Sequence, residues 1–391
     1  MTLWVVAVAV GALTASFLLT LVIKRAAKGL GLIDIPNERS SHAIPTPTGG
    51  GLAIVIAATA AMGVLAAAGM IPARLFLALG PGGAAVAIVG FIDDRRSLSA
   101  RIRLSVHFIA AAWAVVCIGP IELFRVTSET PGLDWLNYTI STIGIVWFLN
   151  MFNFMDGIDA IAASEAVFLC AGTSFLALYS AGVSYIAASV AVVGASSTGF
   201  LIWNWPPAKT FMGDVGSGYL GFVFAVMGIA SGVHSGSALC ACLTLAGVFV
   251  VDATYTLIRR FARGERVTDA HRTHAFQLLA QNVGHRKATL TVALINLAWL
   301  LPCALATVLL PQDTLWITLL AFGPLLVCAS AIGAGRPQAL PDAPASPHVV
   351  IQFRLPKASD RSVYASAQEH HSAVSQFASS AVTERKLHDV G

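Results

Sequence analysis

About eleven long apolar runs follow one another along this 391-residue chain, and they limit what it can fold into more than any other feature. They cover roughly residues 2–23, 49–70, 75–92, 104–121, 136–152, 160–180, 184–203, 218–233, 238–258, 289–310 and 315–333, the fifth and eighth being the shortest. A hydrocarbon core about 30 Å thick is crossed by about 20 apolar residues in a helix. A soluble domain has no use for so many such runs. The links between them are short and contain Gly and Pro, which leaves no room for a second globular domain. The expected class is all-α, a polytopic integral membrane protein with about eleven transmembrane helices in one membrane domain over residues 1–334.

Composition agrees with that class, since 56% of residues are apolar and 11% charged, against about 25% charged in ordinary soluble domains. Loops rich in Lys and Arg stay in the cytoplasm. With the N-terminus outside, only Arg74 and Arg125 of the 24 Lys and Arg fall in outside links. An external N-terminus and a cytoplasmic C-terminus are therefore expected. The net charge of +4 then reports orientation, not nucleic-acid binding. The first run is followed by Lys24, Arg25 and Lys28, so it reads as a retained helix rather than a signal peptide. All six cysteines lie inside apolar runs, without disulfide or metal spacing, and read as packing residues. After Gly335 the composition turns to Pro, Ala, Ser, Gln and His, as expected of a disordered tail over 335–391.

Counted along the runs, four acid-bearing segments fall on the same side of the membrane. Acids near hydrocarbon are costly unless they pair, bind a metal or do chemistry. Asp93 and Asp94 end the third run; adjacent carboxylates repel, and a divalent metal plus a base is a natural use for them. Asn150, Asn153, Asp156 and Asp159 recur every three residues, so at helical spacing they form one polar stripe. Asp214 stands between Gly213 and Gly216, where the backbone can approach a ligand closely and the next helix offers its amide hydrogens. Its carboxylate suits a hard cation such as magnesium. Residues 259–287 carry seven basic side chains, Arg272 among them, beside His271 and His274. Guanidinium grips phosphate in a bidentate way, so this loop fits a diphosphate better than the zinc that His-x-x-His spacing also serves.

Together these segments resemble the polyprenyl-phosphate N-acetylhexosamine-1-phosphate transferases, a glycosyltransferase family that starts bacterial lipid-linked glycan synthesis. The resemblance covers about residues 34–290. It rests on Arg39-Ser40-Ser41-His42 with residues 45–51, on Asp93-Asp94, on residues 150–159 and 211–217, and on residues 270–274. Ala270-His271-Arg272-Thr273-His274 and Asn204-Trp205-Pro206-Pro207 look most like the branch that primes O-antigen or related surface polysaccharides. One departure is Ala160, where the family usually has glycine after the second aspartate of its Asp-Gly-x-Asp motif.

The resemblance implies a membrane enzyme of the bacterial inner membrane with its site on the cytoplasmic face. It would join a UDP-N-acetylhexosamine to undecaprenyl phosphate and release UMP. It further implies Mg2+, with Mn2+ as a substitute, held by Asp214 with Asp94 or Asp156, and Asp93 as the base. Asn150, Asn153, Asp156, Asp159 and Lys209 are expected around the nucleotide or metal, and His271, Arg272 and His274 on the sugar-linked phosphates. The lipid tail is expected in a groove between spans, drawn from the membrane lipid. A secondary transporter or lipid flippase is the alternative of another class, but carriers place their acids near mid-bilayer in repeated halves, and no such repeat is visible. CDP-alcohol phosphotransfer calls for an arginine after Asp156-Gly157 that is absent.

Overall fold

The computed structural model describes residues 2–36, 44–122, 134–179, 184–266 and 271–337. Arg39 to His42, Arg125, Ala270 and the tail beyond residue 337 lie outside the described residues. The chain forms α1 (Thr2–Leu30), a two-residue antiparallel pairing of β1 (Ile33–Asp34) with β2 (Thr46–Pro47), α2 (Leu52–Ala67), α3 (Ala73–Arg95) and α4 (Ala100–Ile118). There follow α5 (Asp134–Met155), α6 (Ile161–Leu176), α7 (Ser184–Asn204), α8 (Asp214–His234), α9 (Gly236–Leu245) and α10 (Gly247–Phe261). The last elements are α11 (Ala275–Val283), α12 (His285–Ile295), α13 (Leu301–Leu309) and α14 (Thr314–Ile332). A π-helical stretch, Asn296–Leu300, joins α12 to α13.

Every expected run is helical, but the runs are not equal. Eight helical segments are long and apolar enough to cross a membrane. The fifth and eighth runs, shortest in the sequence, become full-length α5 and α8. Their ends are polar, at Asn150 and Asn153 and at Asp214 and Ser217, so an apolar count stops before the helix does. The short helices are instead α2 and α6, with 16 residues each. The ninth run is broken, with α9 and α10 bent by 76°. Gly247 sits at the bend, where a Cβ would come within 3.0 Å of Leu300. The loop expected over 259–287 contains α11, an element that its charge pattern concealed.

In α8, 94% of the membrane-length window is buried, which makes it the central helix. Tyr219 and Phe222 on α8, Phe152 on α5 and Phe249 on α10 are among its largest fully buried neighbours. Small residues let the backbones close in, as in membrane bundles generally: a Cβ on Gly51 would stand 2.5 Å from the Gly216 Cα. The outer faces are apolar, with Val6, Ile88, Ile109, Val116, Leu294 and Val327 all more than half exposed. So large an exposed apolar surface is a membrane surface. The protein is a multi-pass, all-α membrane protein.

The motif-bearing ends of the helices meet at one end of the bundle. Gly50 and Gly51 N–H groups donate to the Phe211 and Met212 carbonyls, and Gly335 N–H donates to the Thr273 carbonyl at 2.7 Å. That last bond draws the residues after α14 back onto the loop before α11.

Candidate active site

Asp93 and Asp94 occupy the last turn of α3. Asp94 accepts hydrogen bonds from the backbone N–H of Asp214 at 2.8 Å and of Val215 at 3.2 Å. It thereby caps the first turn of α8, where N–H groups lack helical partners and the helix dipole favours negative charge. The approach depends on two glycines. Gly213 turns with φ 74°, and a Cβ there would stand 2.5 Å from Asp94 Oδ2. A Cβ on Gly90 would stand 2.5 Å from the Asp214 carbonyl oxygen. Asp93 is turned to other partners, accepting from the Leu98 N–H and from Arg103 Nη1 at 2.6 Å. Arg103 Nη1 also reaches Asp214 Oδ2 at 3.2 Å. Arg103 therefore ties Asp93 to Asp214. Sequence reading missed it because it sat among arginines assigned to membrane orientation.

The polar stripe expected over 150–159 is only partly helical, since α5 ends at Met155. The Asn150 amide donates to the Val146 carbonyl at 2.7 Å, one turn back. Asn153 Oδ1 accepts from the Ser217 hydroxyl, joining α5 to α8. Asp159 joins further segments: Oδ2 accepts from the Ala208 N–H at 3.0 Å, and Oδ1 lies 3.1 Å from His285 Nδ1. Its carbonyl accepts from the Thr289 hydroxyl at 3.0 Å. Ala160, standing where the resemblance implies glycine, adopts φ 65° and is the one positive-φ non-glycine among the described residues. The Asn204 side chain holds it there, accepting the Ala160 N–H at 2.9 Å.

Asp156 differs from the other acids. Among the described residues nothing hydrogen-bonds or ion-pairs with its carboxylate, which lines the cavity described below. Burial in the cavity wall, and then the negative charges of Asp94 and Asp159, push it up to about 7.

His271 and Arg272 also line the site. The His271 ring stacks on His274 with centroids 4.8 Å apart. His274 is buried, with Nδ1 3.4 Å from Asp252 Oδ1, and it caps α11 in a reciprocal arrangement with Gln277. Asp252 in turn accepts the N–H groups of Ala275 at 2.8 Å and Phe276 at 3.0 Å. A single acid inside the apolar run of α10 was the available signal for this bracket. Arg260 and Arg263 ion-pair with Glu265, and Arg263, the nearer influence, holds that carboxyl below its usual range. Arg259 spends one nitrogen on the Ala334 carbonyl.

These parts enclose a cavity of about 570 Å3. Asp94, Asn153, Asp156, Asp159 and Asp214 line it together with His271 and Arg272. Thr48 and Ser217, from the segments 45–51 and 211–217, line it as well, as do Asp34, Gln277 and His285, which were not singled out in the sequence. Asp93, Asn150, Lys209 and His274 stand outside the lining. Lys209 lies over the Trp203 ring, 5.6 Å from its centroid, and His274 is taken up by Asp252.

The acidic wall offers only oxygen donors, the chemistry of a hard cation. Among the described residues no three His, Cys, Asp or Glu side chains form a ready cage. Asp94 and Asp159 already accept backbone N–H groups, so of these four lining aspartates Asp156 and the second oxygen of Asp214 are the least engaged. Magnesium is commonly held by one or two carboxylates, with waters and substrate phosphates completing the shell. The residues fit such an ion.

Comparison with known proteins gives the same direction. The sequence pattern of glycosyl transferase family 4 matches residues 76–232. A probable undecaprenyl-phosphate N-acetylglucosaminyl 1-phosphate transferase of Bacillus subtilis is 31% identical over 321 residues, 81% of this chain and 87% of that one. A decaprenyl-phosphate N-acetylglucosaminephosphotransferase of Mycobacterium tuberculosis is 29% identical, over 70% of this chain and 75% of that one. An undecaprenyl-phosphate alpha-N-acetylglucosaminyl 1-phosphate transferase of Thermotoga maritima is 26% identical, over 72% and 84%. The matched stretch runs from within α3 through α5 to within α8 and includes Asp93, Asp94, Asn153 and Asp214, and with a relative this similar over most of both lengths the chain belongs to the polyprenyl-phosphate N-acetylhexosamine-1-phosphate transferase family.

Proposed function

We propose that the protein transfers N-acetylhexosamine-1-phosphate from a UDP-sugar to undecaprenyl phosphate on the cytoplasmic face of the bacterial inner membrane, priming a surface polysaccharide. An oxygen of the lipid phosphate attacks the β-phosphorus of the UDP-sugar. The bond between β-phosphorus and bridging oxygen breaks, UMP leaves, and the sugar stays on its phosphate. The observation that carries this reading is a single cavity lined both by the Asp156 carboxylate, unpaired among the described residues, and by His271 and Arg272. Acids and a guanidinium lining one cavity suit a diphosphate bound through a metal ion and through the guanidinium.

Asp156 and Asp214 would hold Mg2+, which would neutralise the diphosphate and the departing UMP. Arg272 and His271 bind phosphate oxygens of the donor. Asn153 and Asp159 shape the nucleotide end, Asp159 chiefly by fixing, at Ala208, the loop between α7 and α8. Asp94 holds the first turn of α8 and hence Asp214. Asp93 acts on the acceptor through Arg103; a lipid phosphate ionised at neutral pH needs placing more than deprotonating. Asn150, His274 and Lys209 support the site from outside its lining.

The test is UMP release by purified protein given undecaprenyl phosphate, Mg2+ and a panel of UDP-N-acetylhexosamines. Release should require both substrates, stop with EDTA and return with Mg2+ or Mn2+. Turnover unaffected by EDTA rejects the metal; no release with any donor rejects the transfer.

A further inference from the structure

Glu165 is a buried acid with no part in the site described above. It stands one turn into α6, inside an apolar run, and is 1% exposed. Acids buried at membrane depth are rare and mark function, usually with a partner. The partner here is Asn296, also 1% exposed, whose Nδ2 donates to Glu165 Oε2 at 2.6 Å. Asn296 directly follows the 11-residue α12, about 16 Å along the helix from His285 at 1.5 Å per residue. The pair therefore lies within the apolar span, and neither residue lines the large cavity.

Two atoms of the pair are left over. Glu165 Oε1 and Asn296 Oδ1 are both buried without a hydrogen-bond partner among the described residues. Both are acceptors when the carboxyl is ionised, and buried polar atoms are normally satisfied. One proton answers for both. On Oε1 it turns that oxygen into a donor, and Asn296 Oδ1 is the acceptor in need of one, on the residue already bonded to Glu165. An ionised carboxylate would have a single neutral amide to offset the loss of water, and among the described residues no cation pairs with it. A buried charge needs more than that.

The face of α12 that leads to the pair also meets the site. His285, Thr289, Val292 and Asn296 follow one another at helical spacing, so they share one face. His285 Nδ1 lies 3.1 Å from Asp159 Oδ1, the Thr289 hydroxyl donates to the Asp159 carbonyl at 3.0 Å, and Asn296 holds Glu165. Asp159 and Glu165 flank the start of α6, so this face pins that start from both sides. Asp156 belongs to the same turn. The π-helical stretch opens at Asn296 itself, whose carbonyl accepts the Leu301 N–H, and such stretches recur at functional sites.

We propose that Glu165 is a protonated, neutral acid whose pairing with Asn296 sets the register of α12 against α6, and that both are positioning residues for Asp159 and the turn that carries Asp156. The proposal rests on the transferase reading and deepens it by adding the support behind the metal and donor end of the site.

Infrared difference spectra of the whole protein against Glu165→Gln, in detergent at pH 8, should show the C=O stretch of a protonated carboxyl that moves in D2O. A carboxylate band in its place overturns the neutral acid. Gln keeps the donor and the acceptor of the acid form, so Glu165→Gln should hold kcat and both KM values within about twofold of parental. A larger loss there overturns it as well. Asn296→Leu should lower kcat/KM for the UDP-sugar about tenfold, as a slightly misplaced site does, and leave KM for polyprenyl phosphate unchanged. Parental kcat/KM in that variant overturns the positioning role. Glu165→Leu combined with Asn296→Leu leaves no polar atom of the pair unsatisfied, so it should recover the unfolding temperature that Asn296→Leu loses while kcat/KM stays low. Activity that returns together with stability shows that the pair only packs, and overturns the proposal. The infrared band and the unfolding temperature need no turnover, so a protein that releases no UMP fails the transferase reading while the protonated pair is still decided by its spectrum.

Discussion

Four aspartates that look alike in sequence hold four different positions in the site. Asp94 caps a helix, Asp93 grips Arg103, Asp214 shares that arginine, and Asp156 stands unpaired among the described residues. Asp214→Asn should cut turnover by on the order of a hundredfold, the scale expected for a lost metal ligand, without unfolding the protein. Near-parental UMP release from a correctly folded variant would remove it from the site. Asp156 yields a pH test. In the metal-free fold it titrates near 7, well above an ordinary aspartate, so the folded state binds a proton that the unfolded chain releases. Its contribution then makes the metal-free protein less stable as pH rises from about 4 to about 7. A cation and that proton compete for the same oxygens. The stabilisation by Mg2+, read as a rise in unfolding temperature in detergent, should therefore be larger at pH 8 than at pH 6. Asp156→Asn should abolish that difference, and an undiminished difference in the variant would place the ion elsewhere.

At the scale of elements, the site depends on how closely α3 can approach the start of α8. Gly90→Ala puts a methyl 2.5 Å from the Asp214 carbonyl oxygen, a backbone atom that cannot swing away. The expected result is a loss of activity larger than the loss of expression, because the Asp94 cap opens before the bundle comes apart. Wild-type kcat in Gly90→Ala would show that the helices can separate without cost. Ala160 makes the opposite case. A non-glycine residue at φ 65° carries roughly 1 kcal/mol of strain, while its buried methyl returns a comparable amount of apolar burial. Ala160→Gly should accordingly keep activity and change thermal stability little, whereas Ala160→Val, β-branched in a left-handed conformation, should destabilise the fold and misplace Asp159. A large stabilisation by glycine would mean that the methyl contributes nothing.

For the molecule as a whole, the convergence of the motifs at one end of the bundle makes a topological prediction. In a cysteine-free background, single cysteines at Ser97, Lys209 and Ala262 should be shielded from a membrane-impermeant thiol reagent in intact cells and react after lysis. A cysteine at Ser235, between α8 and α9, should react without lysis. Labelling of position 209 from outside would put the site in the wrong compartment for UDP-sugars. Arg95, Arg96, Arg259, Arg260 and Arg263, all at the site end, supply the physical reason.

The membrane class, the places of the apolar segments and the identity of the acidic segments could be read from the sequence, because bilayer thickness, backbone satisfaction and the cost of charge in hydrocarbon act on each segment by itself. Apolar counting misjudged which helices are short, since polar residues at the ends of α5 and α8 belong to helix and site at once. Arg103, Asp252 and His285 escaped notice because their meaning lies in partners many residues away: Asp214, the start of α11, and Asp159. Only tertiary packing separated Asp93 from Asp94, neighbours in the chain whose side chains leave α3 in different directions. One meets the first turn of α8 and the other an arginine on α4. Hydrophobicity sums along a chain and is legible there, whereas a site is made by distances between segments, and those exist only once the helices have packed.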